Sequence, residues 1–140
     1  MRSIAAFLLV ATFVLSSTSH TAAERALSND NRTPSGRLIG DTLVLRLTVR
    51  VADWRLLGNE EPGFTLLAFA EEGKPATIPG PLIRVKAGTP VRVIVRNPLD
   101  DTLVIRGLSE SAAARDSFVA LPGATAAASF VARRPGTYFY

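Results

Sequence analysis

The chain has 140 residues, with sixteen basic and twelve acidic side chains, one histidine, one methionine and no cysteine. That length fits a single domain, and without cysteine no disulfide can staple it, so the fold must stand on its core. The basic excess is dispersed as single arginines along alternating segments such as VLRLTVRVADWRL; this is the solvent face of strands, not a basic patch interleaved with stacking aromatics, and it argues against a nucleic-acid partner.

Residues 1–23, MRSIAAFLLVATFVLSSTSHTAA, open with Arg2, continue through an apolar run from Ile4 to Leu15 and turn small and polar before Ala22 and Ala23. This pattern predicts a secretory signal peptide cleaved near Ala23. The apolar run is shorter than the roughly 20 residues a spanning helix needs, and no cysteine is present to carry a lipid. The expected location is therefore periplasmic or secreted, with no stable membrane insertion after cleavage. Removing this segment also removes His20 and Met1, so the mature chain has no His, Met or Cys. Copper and zinc sites depend chiefly on thiolate and imidazole, so a self-contained blue-copper or structural zinc site is excluded.

Residues 24–37 are polar and rich in turn formers (SNDNRTPSG) and read as a disordered lead-in, with a single domain expected over 38–140. Residues 41–54, DTLVLRLTVRVADW, then alternate. Leu43, Leu45, Leu47, Val49 and Val51 face one way and Val44, Arg46, Thr48 and Arg50 the other, which predicts a half-buried strand. GFTLLAFA is a second strand, and LIRVKAG and PVRVIVRN are two more, turning at Ala87, Gly88 and Thr89. Between them, Pro79 and Pro81 in TIPGP remove two backbone donors and mark a crossing loop or an edge. TLVIRGL, AAASFVA and GTYFY follow, the last two parted by the turn RRPG. No segment has a sustained helical period, and many short strands separated by Gly and Pro predict an all-β antiparallel sandwich or barrel.

The run GKPATIPGPLIRVKAGTPVRVIVRNPLDDTLVIRGL, followed by LPGATAAASFVARRPGTYFY, resembles the N-terminal plastocyanin-like domain of multicopper oxidases. Members of that family commonly read IPGPxIRVxxGDxVxVxVxNxL, a strand ending in HWHGL, and PGxxxxYxFxAxxPGTYWYHSH. The resemblance covers roughly residues 64–140. It implies a cupredoxin-like antiparallel Greek-key β-sandwich, exported, from an oxidoreductase family that binds copper ions as its cofactor. In that family each His-x-His pair sits on a strand, where period two puts both imidazoles on one face. The first pair falls here on Val104 and Arg106, neither of which can ligate copper, and Arg106 cannot be deprotonated. The second pair would follow Tyr140, so the expectation is of a domain incomplete at its C-terminus, with no metal, catalytic or cofactor-binding residue in this chain.

Each feature also has a plain structural reading. Glycines 80, 88, 107, 123 and 136 suit turns and tight approaches. Tyr138 and Tyr140 alternate with Phe139 and suit the core and rim of a strand, and Trp54 packs on a sheet face or edge. Arg106, close in sequence to Asp100, Asp101 and Asp116, is solvated or ion-paired. With no imidazole or thiol in the mature chain, no nucleophile and base pair can be assembled.

Two functions follow. One is the N-terminal piece of a multicopper-oxidase-like protein, whose partners are the remaining cupredoxin domains, or itself through an open edge. The other is a stand-alone metal-free cupredoxin-like module for binding or structure. A bare edge beside GTYFY invites aggregation and favours the first.

Overall fold

The computed structural model describes residues 23–56, 58, 60, 62–109 and 117–140. All of the expected signal peptide except Ala23 lies outside the described residues, as does Asp116. The described residues contain no helix and form β1 (Glu24–Arg25), β2 (Leu27–Ser28), β3 (Arg37–Ile39), β4 (Thr42–Trp54), β5 (Phe64–Glu71), β6 (Ala76–Ile78), β7 (Pro90–Arg96), β8 (Leu103–Arg106), β9 (Ser117–Ala120) and β10 (Thr125–Val131). The expected all-β class is what the structure has.

The fold is organised around β4. Its 13 residues rise about 3.3 Å each, long enough for its two halves to serve different neighbours. Residues 43–46 run parallel to β7, which in turn pairs antiparallel with β10. Residues 47–54 pair antiparallel with β5, and β5 carries β6 and then β2 on its far side. β8 and β9 form a separate two-stranded sheet. It lies over the apolar face of β4 and β7: Ile105, Leu108 and Ala120 are buried together with Leu43, Leu45, Leu47, Val49, Val91, Val93 and Val95. Period two accounts for this core, because each of these strands sends its alternate side chains to the same side.

The alternation changes at the end of β4. Val51, expected on the inner face, is only half-buried, while its neighbour Ala52 is fully buried. Here the opposite face of the sheet is covered by a small cluster of Ala26, Ala52, Ala68, Ala70 and Ala76, with Trp54, Leu66 and Ile78 at its margin. Trp54 thus packs on a sheet face, as anticipated.

Four expectations are corrected. The sandwich is mixed rather than antiparallel: β4–β7, β1–β4 and β2–β6 are parallel pairs. A parallel pair needs a long crossover, and residues 55–89 supply one between β4 and β7.

The lead-in at 24–37 is structured rather than disordered. Glu24 accepts a hydrogen bond from the Ala76 N–H at 2.9 Å and pairs with Arg50, Ala26 enters the alanine cluster, and the Asn29 amide donates to the Gly80 carbonyl at 2.9 Å. These contacts satisfy polar groups that composition alone assigns to water.

LIRVKAG joins no strand ladder. Pro79 and Pro81 lack N–H groups and the Leu82 carbonyl accepts from Ser35 N–H at 2.8 Å, yet Ile83 and Val85 still pack on the main core. GTYFY also joins no ladder. Phe139 is 88% exposed, whereas Tyr140 is drawn in against the core and donates from its hydroxyl to the Pro81 carbonyl at 2.5 Å.

Candidate functional site

β8 is the strand on which the family resemblance places the first ligand pair. Val104 and Arg106 are both exposed while Ile105 between them is buried, so both side chains leave the same face. A single polar side chain fixes where this strand sits. Asn97, just past the end of β7, is fully buried. Its amide nitrogen donates to the carbonyls of Asp101 (2.8 Å), Ala120 (3.0 Å) and Leu121 (3.1 Å), and its oxygen accepts from Leu99 N–H at 3.0 Å. The approach to β8 and the exit from β9 are thereby tied to the end of β7.

The far end of β8 is fixed by a close approach of backbones. Gly107 has φ +79°, and a Cβ there would lie 2.1 Å from the Phe139 carbonyl oxygen and 2.9 Å from the Tyr140 Cα. Only glycine lets the C-terminal residues pass this close. A Cβ on Gly80 would likewise meet the Tyr140 hydroxyl at 3.1 Å. Tyr140 is thus seated between the TIPGP loop and the end of β8, with its ring 5.5 Å from that of Phe69 in a tilted pair. Burial, reinforced by the Glu71 carboxylate, pushes the Tyr140 hydroxyl well above its ordinary range. For Glu71 itself burial acts upward, but hydrogen bonds from Lys74, the Gly36 N–H and Ser35, together with the Lys74 charge, outweigh it and hold the carboxyl below its usual value. Tyr138, by contrast, is half exposed and donates to nearby carbonyls of its own turn, those of Arg134 and Pro135.

Beside β8 lies a groove of about 450 Å³ lined by Val49 of β4, Leu67 to Phe69 of β5, the four residues of β8 and Tyr140. Its walls are mostly hydrocarbon and, among the described residues, its one charged side chain is Arg106. Arg106 is exposed and has no ion pair among the described residues; Asp116, one of its expected partners, lies outside them.

Copper requires imidazole, thiolate or thioether donors. Val104 offers hydrocarbon and Arg106 a permanent cation, and among the described residues no group of three or more His, Cys, Asp or Glu could hold a metal. The residues at this position do not fit copper. Sequence reading passed over Asn97, Phe69 and Leu67 as parts of the site; for Asn97 the signal was an amide at the end of an apolar strand, followed at once by Pro98.

No family model and no curated protein matches the sequence. Among solved structures the chain is similar to multicopper oxidases and laccases. Similarity to the Campylobacter jejuni multicopper oxidase, described as a metallo-oxidase, covers 80% of this chain and 24% of that one, at 16% identity and a TM-score of 0.47. A laccase from Pediococcus acidilactici is 14% identical, with 81% of this chain and 25% of that one covered and a TM-score of 0.46. A multi-copper oxidase from the same organism has the same figures. The chain spans about a quarter of the length of each.

Proposed function

We propose that this chain is an exported plastocyanin-like domain of a multicopper-oxidase-like protein, retaining the frame of the ligand strand and binding no copper through it. Copper and copper-dependent oxidation belong, in this reading, to the family and to other parts of such a protein. One observation carries the proposal: Val104 and Arg106 stand side by side on the exposed face of β8, in the position where the motif order of the resemblance calls for two imidazoles.

The test begins with material recovered from the periplasm or medium, whose N-terminus should lie near Glu24 by mass spectrometry. After copper loading and desalting, elemental analysis should find well under one copper per chain. A stoichiometric copper signal with near-ultraviolet or visible charge-transfer absorption would overturn the ligand argument.

A second reading, a metal-free binding or structural module, is favoured by the seating of Tyr140 against Gly107 and Pro81, which packs the segment after β10 onto the core. Sedimentation velocity and thermal denaturation separate the two. A monomer with a single sharp transition supports the module, and a self-associating chain without cooperative unfolding supports a dependent piece of a larger protein.

A further inference from the structure

We propose that the groove between β5 and β8 is a binding site for an aromatic carboxylate, with Arg106 as its anion-binding group. The proposal goes beyond the functional reading above, since it uses neither copper nor any other domain.

Three features of the groove converge on that ligand chemistry. Its volume of about 450 Å³ falls within the range of small-molecule sites, and its composition, apolar walls with few polar groups, is the usual one for such sites. Leu67 is 53% and Val104 55% exposed, so apolar surface stands in water here and burying it is favourable. The tilted pair formed by Phe69 and Tyr140 supplies ring faces and edges suited to a flat aromatic body.

The polar end follows from what remains free. The Tyr140 hydroxyl is committed to the Pro81 carbonyl, which leaves Arg106 as the charged donor lining the groove. Among the described residues no Asp or Glu side chain lines the groove, and Arg106 has no ion pair. A guanidinium presents parallel N–H groups that match a carboxylate bidentately. It stands on β8 one residue from buried Ile105, so its origin is fixed by the sheet while its side chain is exposed.

The experiment compares naphthoate with its neutral isostere naphthamide, each titrated into the purified chain by calorimetry, with the binding surface mapped from backbone amide chemical shifts. Naphthoate should bind about fivefold more tightly than naphthamide, as one partly exposed ion pair allows, and shift Leu67, Phe69 and Val104. Arg106→Gln should abolish the preference while leaving the melting temperature unchanged. Leu67→Ser, at an exposed position, should weaken both compounds alike. Equal affinities for the two compounds in the unaltered chain would overturn the proposal, as would a preference that survives in Arg106→Gln, or the absence of shifts along β5 and β8 at millimolar naphthoate.

Discussion

Replacing Asn97 with alanine tests whether one buried amide holds the small β8–β9 sheet in place. The side chain is fully buried and takes part in four hydrogen bonds, three donated by its amide nitrogen and one accepted by its oxygen. The bond to the Ala120 carbonyl is buried outright, whereas the other three are only partly buried. In the alanine variant those three partners can turn to water, each at a net cost of about 0.5–1.5 kcal/mol. The Ala120 carbonyl cannot do so readily, and a stranded buried acceptor costs about 1–3 kcal/mol. The amide nitrogen has two hydrogens for three acceptors, so the bonds are shared and the lower ends of these ranges apply, giving a loss of about 3 kcal/mol. Against a typical stability of about 5–15 kcal/mol that is a large fraction. Urea titration followed by circular dichroism should show a clear fall in midpoint with an unchanged slope. Asn97→Asp sharpens the test, because a carboxylate faces the same three carbonyls with no donor unless it is protonated. Its acidity is therefore suppressed in the fold, and the stability of that variant should fall as pH rises above the ordinary aspartate value of about 3.9. A loss below about 1 kcal/mol for Asn97→Ala, or an Asn97→Asp variant indifferent to pH, would refute the reasoning.

Three further outcomes follow from the seat of Tyr140 and its surroundings. Gly107→Ala combines a φ of +79° with a Cβ 2.1 Å from a backbone oxygen, so it should cost at least about 2 kcal/mol and free the C-terminal residues, read as faster carboxypeptidase trimming than in the unaltered chain. Tyr140→Phe should lose about 1 kcal/mol with its hydrogen bond to the Pro81 carbonyl. The tyrosine is raised above its ordinary 10.0 in the fold, so the unaltered chain keeps its full stability below pH 10 and loses it as the unfolded state ionises above that; the phenylalanine variant should lack this alkaline loss in a melting-temperature profile. Glu71 is lowered below its ordinary 4.5, so its contribution is present above that pH and disappears as pH falls through the folded value; Glu71→Gln should flatten the acid limb of the same profile.

Period two made the core of β4 and β7 legible, since Leu43, Leu45, Leu47, Val91, Val93 and Val95 are all buried as their alternation requires. The same rule put Val104 and Arg106 on one face of β8; that this face is the exposed one is a finding of the structure. What could not be read is what depends on neighbours distant in sequence. The parallel pairing of β4 with β7 leaves no mark on either strand, because alternation reports which face is buried and not which strand lies alongside. The ordering of residues 24–37 rests on Arg50, Ala76 and Gly80, none of which is near in sequence. LIRVKAG alternates well enough to suggest a strand, but its ladder is missing even though Ile83 and Val85 reach the core. Side-chain pattern speaks to burial, and hydrogen bonding is decided separately.

That separation also explains how the position of β8 can be held while its outward side chains vary. The position of β8 is set at one end by the Asn97 amide and at the other by the Gly107 contact with Phe139 and Tyr140. Its depth is set by Ile105 in the main core. All of these groups are backbone, buried amide or inward-facing hydrocarbon, and none is on the outward face. Exposed side chains away from such features typically change stability by no more than about 0.5 kcal/mol. Residues 104 and 106 are therefore free to vary in chemistry while their geometry stays fixed, and the two positions can hold a hydrocarbon and a guanidinium at almost no cost to the fold. The groove they help to line keeps its shape for the same reason. Its chemistry, with one cation above apolar walls, is set by the side chains the fold leaves unconstrained.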